Sequence, residues 1–147
     1  MIAVDSSVLL DVLTDDPRHA DASEACLGDA LAHGELVICD AVVAEVQTML
    51  DTRDTAMDTL GALGIRHLAT TEQAAVRAGH MQRRFRDRGG RRERVVADFL
   101  IGAPALLQCD ALITRDDAFF RDYFKGLKVI VPKADGPDRT ASTQRRS

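Results

Sequence analysis

Short apolar runs alternate with longer helix-like segments along this chain. Five runs rich in aliphatic or β-branched residues are spread over its length: 2–4, 36–39, 65–68, 111–114 and 128–131. The segments between them carry apolar residues at the three- and four-residue spacing of helices. Strands separated by helices pair in parallel, because a parallel connection needs a long crossover. The sequence therefore predicts an α/β fold with a central, parallel, five-stranded sheet flanked by helices.

The length of 147 residues is typical of a single domain. We expect residues 1–132 to form it, and residues 133–147, which show no apolar period, to be a disordered tail. No apolar run approaches the ~18 residues of a membrane-spanning helix. The three cysteines, Cys26, Cys39 and Cys109, are far apart, as expected for unbridged thiols in a reducing compartment. These features predict a cytoplasmic protein.

The sequence also predicts the limits of three helices. Asp40 directly follows the second strand and is expected to cap a helix over residues 41–50. A further helix is expected over residues 51–63. Pro104 lies inside the apolar segment 95–107 and is expected to kink or end that helix, because proline lacks the N–H of the helical hydrogen bond.

The net charge of −4 conceals an uneven distribution of charge. Residues 1–60 contain thirteen acids and two bases, whereas residues 77–94 contain eight arginines and two acids. An arginine-rich segment can bind a polyanion even on an acidic protein, because binding follows the local potential. A solvated helix face explains the same segment equally well.

Four acids occupy positions where such a fold concentrates function. Asp5 follows the first strand, and Asp116, with Asp117 beside it, follows the fourth. Glu45 lies at the margin of an apolar helical stripe. Asp98 is the only charged residue in the long apolar segment that follows the arginines. Each also has a simpler explanation: a helix cap at the strand ends, a solvated edge residue, and a first-turn acid.

These simpler explanations do not account for the shared location of the acids. Strand ends and the helix turns that follow them meet at one edge of a parallel sheet. Clustered carboxylates repel one another, and Mg²⁺ with its preference for oxygen ligands relieves that repulsion. No histidine pair or cysteine cluster has the spacing of a zinc site. An acidic Mg²⁺ site beside an arginine segment suggests hydrolysis of phosphodiester bonds.

Four segments together resemble a PIN domain, and more closely a VapC-type toxin of a bacterial type II toxin–antitoxin pair. They are Ile-Ala-Val-Asp-Ser-Ser-Val-Leu-Leu-Asp from residue 2, Val-Val-Ala-Glu-Val from 42, Val-Val-Ala-Asp-Phe-Leu-Ile-Gly-Ala from 95, and Leu-Ile-Thr-Arg-Asp-Asp-Ala-Phe-Phe from 112. The resemblance implies an endoribonuclease that depends on Mg²⁺ or Mn²⁺, a homodimer, and a small VapB-type antitoxin that covers the active-site groove.

The resemblance also implies roles for individual residues. The catalytic acids would be Asp5, Glu45, Asp98 and Asp116. Of these, Asp5, Asp98 and Asp116 would bind metal, and Glu45 would bind a second metal or orient the attacking water. The supporting residues would be Ser6, Thr114 and Asp117, and the arginines that hold RNA would be Arg83, Arg84, Arg91, Arg92 and Arg94.

Two other classes of protein remain as alternatives. A phospho-acceptor receiver domain is also a small acidic α/β fold, but it needs paired acids after its first strand, where this chain has Asp5 alone. A non-catalytic PIN-like module that only binds RNA or protein would normally lack part of the acidic quartet. Enzymes with nucleotide cofactors are disfavoured, because no glycine-rich phosphate loop follows the first strand.

Overall fold

The structure is a computed structural model that describes residues 1–50, 53–89 and 96–133. Its five strands are β1 (Ile2–Val4), β2 (Leu36–Ile38), β3 (Ile65–His67), β4 (Ala111–Ile113) and β5 (Val129–Ile130). Its helices are α1 (Ser6–Leu13), α2 (Ala20–His33), α3 (Asp40–Gln47), α4 (Ala56–Ala62), α5 (Glu72–Asp87), α6 (Val96–Gln108) and α7 (Asp117–Tyr123). The alternation of strands and helices confirms the α/β fold.

The five strands form one sheet in the order β3-β2-β1-β4-β5, with every neighbouring pair parallel. The strand order reverses beside β1, which pairs with β2 on one side and β4 on the other. A crevice opens outside the carboxyl ends of the strands at such a reversal, and ligands of open α/β sheets bind there. The ends of β1 and β4 are therefore the expected place for a functional site.

Helix α6 packs through an aromatic cluster that joins it to α7. The rings of Phe99 and Phe119 meet edge to face with centroids 5.4 Å apart. Gly102 on α6 lies directly against Phe124, and a Cβ atom at this position would overlap the Phe124 ring. This close approach fixes the depth of α6, the helix that carries Asp98.

Of the two outcomes expected at Pro104, a kink or an early end of the helix, the early end is wrong, because α6 continues through Pro104 to Gln108. Proline leaves the carbonyl of Leu100, one turn earlier, without its helical N–H donor. The thiol of Cys39 donates to that carbonyl at 3.5 Å, and Pro104 itself is buried. A side chain from a neighbouring helix start therefore compensates for part of the lost hydrogen bonding.

Two other helix boundaries also differ from the sequence prediction. Asp40 is the first residue of α3, and its carboxylate binds His67 and the N–H of Thr70 instead of capping the helix. The helix expected over 51–63 spans only Ala56–Ala62, because the Thr55 side chain caps it by accepting the N–H of Asp58.

All three cysteines are unbridged, as predicted, and burial raises the pKa of the Cys39 thiol to about 11. Across the described parts of the chain, none of the helices combines the length and apolarity needed to cross a membrane. The proposed tail lies outside the described residues beyond Lys133, and the domain limit at 132 stays a prediction.

Candidate active site

Asp5 lies at the end of β1, and its carboxylate is held by hydroxyl groups. The side chain is buried, with the residue only 6% exposed. Thr114 Oγ1 donates to Oδ2 at 2.7 Å, Ser7 Oγ donates to the same atom at 2.9 Å, and Ser6 Oγ lies 3.5 Å from Oδ1. Asp5 occupies the N-cap position of α1, yet its side chain makes no capping hydrogen bond. The simple explanation of Asp5 as a helix cap is therefore wrong.

Glu45 projects from α3 toward Asp5 and Asp98. Burial raises the pKa of Glu45, and the negative charges of Asp5 and Asp98 raise it further, while a hydrogen bond from Ser6 opposes the shift. The Oε1 atom of Glu45 is buried and has no hydrogen-bond partner among the residues that the structure describes. This carboxylate does not reach water with both oxygens, so it is more than a solvated edge residue.

Asp98 lies in the first turn of α6 and is half-buried. Its charge acts on Glu45 together with that of Asp5, which places the three carboxylates in one neighbourhood. The structure thus brings together acids from the end of β1, from α3 and from α6, as the sequence predicts.

The segment after β4 joins this neighbourhood through Thr114. The Thr114 side chain is fully buried; besides donating to Asp5, its Oγ1 accepts the backbone N–H of Asp116 at 3.0 Å. Asp116 stands at the N-cap position of α7, and its side chain makes no capping hydrogen bond. Asp5 and Asp116 are therefore tied to one hydroxyl.

The donor set of this site fits a hard divalent cation. Oxygen ligands of carboxylates are the ones that Mg²⁺ and Mn²⁺ prefer. Within residues 1–50, 53–89 and 96–133, no lysine or arginine forms an ion pair with Asp5 or Glu45, and Arg115 binds Asp11 instead. A buried carboxylate oxygen without a partner is costly, and a bound cation would remove that cost. Oε1 of Glu45, which no described residue satisfies, therefore supports the fit.

The family model of the PIN domain matches residues 2–125. The chain belongs to the PIN domain family. The match covers all four acids of the site as well as the strands β1 and β4 that bring them together. No curated protein sequence matches this PIN domain significantly.

Solved structures share the fold of this PIN domain at low sequence identity. VapBC2 from Rickettsia felis, solved with a DNA fragment from their promoter, has a TM-score of 0.70 at 16% identity, covering 90% of this chain and 100% of that one. VapBC-1 from nontypeable Haemophilus influenzae has a TM-score of 0.65 at 18% identity, covering 89% of this chain and 98% of that one. Mycobacterium tuberculosis VapC20, a Sarcin-Ricin loop cleaving toxin, has a TM-score of 0.56 at 15% identity, covering 76% of this chain and 87% of that one. At these identities the likeness establishes the fold.

The other residues proposed from the sequence lie on helices α5 and α7 of the PIN domain or outside the described residues. Asp117 is half-exposed and lies 3.8 Å from Arg121, one turn along α7. Arg83 and Arg84 are exposed on α5. The remaining predicted RNA-binding arginines, Arg91, Arg92 and Arg94, fall in a part of the chain that the structure does not describe.

Sequence reasoning missed an ion pair between a half-exposed arginine and a buried carboxylate beside the site. Asp11 on α1 is 3% exposed and binds Arg115 through both oxygens, at 2.6 and 2.7 Å. Ser23 on α2 also donates to Asp11, at 2.9 Å. The available signal was a charge inside the apolar segment Val8–Leu13, together with an arginine between Thr114 and Asp116.

Asp11, Asp16 and His19 also lie close enough together to hold a metal ion. Both oxygens of Asp11 are already bound by Arg115, however. Oδ1 of Asp16 accepts the N–H groups of Arg18 and His19 and lies 3.1 Å from the His19 ring. These contacts explain the cluster as a network that fixes the turn between α1 and α2.

Proposed function

We propose that this PIN domain is a metal-dependent endoribonuclease that acts as the toxin of a toxin–antitoxin pair. The observation that carries the proposal is Oε1 of Glu45, a buried oxygen with no hydrogen-bond partner in the described part of the chain, which lies near Asp5 and Asp98 where the strand order reverses. A phospho-acceptor receiver has no need of this arrangement, because its acceptor aspartate follows a middle strand and works with paired acids at the first.

Asp5, Asp98 and Asp116 are the proposed ligands of Mg²⁺ or Mn²⁺, with Glu45 binding a second ion or orienting water. A bound divalent cation supplies positive charge that polarises the scissile phosphate and lowers the pKa of water. The side chains of the protein orient the acids of the proposed site. The hydroxyls of Ser7 and Thr114 fix Oδ2 of Asp5, while Ser6 lies between Asp5 and Glu45.

RNA is the proposed substrate because the side chains of the arginine segment can bind the phosphate groups of a polyanion. Arg83 and Arg84 are exposed and available on α5. Arg91, Arg92 and Arg94 would extend the same basic segment toward Asp98 in sequence. VapC20, which shares the fold, is a Sarcin-Ricin loop cleaving toxin, and this supports cleavage as the activity proposed here.

The proposed partner is a VapB-type antitoxin, and the proposed assembly is a homodimer in the cytoplasm. Relatives in fold were solved as VapBC complexes and as a toxin–antitoxin complex from Klebsiella pneumoniae. An antitoxin that covers the acids would inhibit cleavage by excluding RNA from them.

Expression in a bacterial host, alone and with the product of the neighbouring gene, tests this function. The wild-type chain should arrest growth and generate new RNA 3′ ends at discrete sites, and the neighbour should relieve the arrest. Asp98→Asn, which keeps the size of the side chain, should neither arrest growth nor generate new ends. Growth arrest by Asp98→Asn without new RNA ends would instead favour the non-catalytic binding module.

A further inference from the structure

Arg115 stands at the centre of the segment that joins β4 to α7. Thr114 before it donates to Asp5, and Asp116 after it is a proposed metal ligand. The backbone N–H of Arg115 donates to Ser7 Oγ at 3.4 Å, and that hydroxyl donates onward to Asp5. The main chain of Arg115 is therefore linked to Asp5 through the hydroxyl of Ser7.

The side chain of Arg115 is anchored to α1 with a fixed geometry. Its Nε and one terminal nitrogen bind the two oxygens of Asp11 at 2.6 and 2.7 Å. Two parallel bonds fix the plane of a guanidinium as well as its distance. The Asp11 side chain is only 4% exposed, and Ser23 on α2 holds the same carboxylate. Residues of two helices, Asp11 on α1 and Ser23 on α2, therefore form the anchor that binds Arg115.

This pairing also determines where the positive charge of Arg115 lies. The Arg115 guanidinium belongs to the residue directly before Asp116, yet its charge is taken up by Asp11. A guanidinium without that partner would be attracted to the nearest carboxylates, where it would compete with a divalent cation.

We propose that the Asp11–Arg115 pair is a positioning device: it holds Thr114 and Asp116 against Asp5 and prevents Arg115 from neutralising the metal ligands. The inference rests on the proposed metal-dependent function. Arg115 and Asp11 are positioning residues, since neither is proposed to touch metal or RNA. Residues that orient metal ligands typically change metal affinity by about 10–100-fold when replaced.

Binding of Mn²⁺ to the purified full chain, measured by electron paramagnetic resonance of the free ion, tests this role without RNA. Arg115→Gln and Asp11→Asn should each raise the Kd for Mn²⁺ by about tenfold or more. Arg115→Lys keeps the charge but offers one donor nitrogen instead of two, so it should raise the Kd for Mn²⁺ less than Arg115→Gln does. The double variant should bind Mn²⁺ no more weakly than whichever single variant has the higher Kd, because each single substitution already breaks the pair.

A matched control separates positioning from general loss of an ion pair. Arg66 and Glu35 form an exposed pair at 2.6 Å beside the start of β2, away from the strand ends that carry the acids. Replacing both with glutamine should leave the Kd for Mn²⁺ unchanged. Melting curves of every variant, recorded in EDTA, set a temperature at which all chains are folded.

The outcomes distinguish the two proposals. If the wild type binds Mn²⁺ and Asp98→Asn does not, the proposed metal centre is supported. In that case, an unchanged Kd for Mn²⁺ in folded Arg115→Gln, Asp11→Asn and the double variant would overturn the positioning role. If the wild type binds Mn²⁺ no better than Asp98→Asn, the metal centre fails, and the positioning role fails with it. If Arg115→Gln does not fold, the double variant, which buries no unpaired charge, decides the question.

Discussion

Thr114 Oγ1 donates a 2.7 Å hydrogen bond to Oδ2 of Asp5, joining two buried residues that lie 109 positions apart in the chain. The bond links the ends of β4 and β1, the neighbouring strands at which the sheet order reverses. The same hydroxyl accepts the N–H of Asp116. One small polar side chain therefore sets the relative position of two acids from distant parts of the sequence.

Thr114→Val should weaken both stability and activity. Valine keeps the shape of threonine but leaves Oδ2 of Asp5 and the N–H of Asp116 each short of a partner. Loss of partners by buried polar groups costs about 1–3 kcal/mol. The free energy of unfolding and the rate of RNA cleavage should both fall. Thr14→Val is the control, because Thr14 makes an exposed 2.7 Å bond to Leu10 far from the acids; an equal loss of activity there would contradict the special role of Thr114.

Glu45→Gln should stabilise the metal-free protein at neutral pH. Burial, with the charges of Asp5 and Asp98, raises the pKa of Glu45 above its ordinary 4.5. The folded state therefore binds this proton more tightly than the unfolded chain, and stability falls as pH rises from 4.5 through the raised pKa. Glutamine does not titrate, so its advantage should be present at pH ~7 and vanish below the ordinary glutamate pKa.

Thermal melting in EDTA at both pH values measures this effect. Addition of Mg²⁺ should then stabilise the wild type more than Glu45→Gln, because binding to the folded state raises its stability. The matched control is Glu24→Gln on the exposed face of α2, which should show no such pH-dependent gain. A variant at position 45 that melts lower than wild type in EDTA at neutral pH would refute the electrostatic interpretation of Glu45.

Gly102→Ala should destabilise the fold. The added methyl group would overlap the Phe124 ring, and overpacking of a core costs about 1–3 kcal/mol. This exceeds the gain of up to about 1 kcal/mol that alanine brings to a helix interior. Gly79→Ala on α5 is the matched control, since its Cβ would meet nothing within 4 Å and should stabilise slightly. Urea unfolding of both variants compares them, and equal stability would show that α6 can shift.

Replacing Arg83 and Arg84 with alanine should flatten the salt dependence of RNA binding. Each phosphate contact contributes about −0.7 to the slope of log K against log salt for a single strand, so losing two should reduce the slope by about 1.4. Fluorescence anisotropy with a labelled RNA, using an Asp98→Asn background to prevent cleavage, measures the slope. The control removes Arg18 and Arg66, which are exposed on the turn before α2 and on β3. An equal change in the control would return Arg83 and Arg84 to the role of a solvated helix face.

The sheet and the meeting of its acids could be predicted because they depend on periodicity and topology. Alternating strands and helices impose parallel pairing, and parallel pairing brings the ends of β1 and β4 together. Asp5 could be placed from this rule alone. Whether Asp5 caps a helix could not, because the choice depends on where the Thr114 hydroxyl lies after the chain has folded.

The remaining differences from the sequence prediction come from contacts between distant segments. α6 continues through Pro104, where Cys39 from another helix start reaches the freed carbonyl of Leu100 and replaces part of the lost hydrogen bonding. Arg115 pairs with Asp11, 104 residues earlier, a contact that was not foreseen from the sequence. Neither partner is visible in local sequence, where each residue presents only its own propensity and charge.

Metal-dependent RNA cleavage by the acids around Asp5 is tested most directly with purified protein and defined RNA. The chain should be treated with EDTA, mixed with RNA, and then titrated with Mg²⁺ while RNA fragments are mapped. Wild type should cleave at discrete sites only after Mg²⁺ is added, whereas folded Asp5→Asn and Asp98→Asn should leave the RNA intact at every Mg²⁺ concentration. Cleavage by wild type in EDTA, or full cleavage by both folded variants, would contradict the assignment.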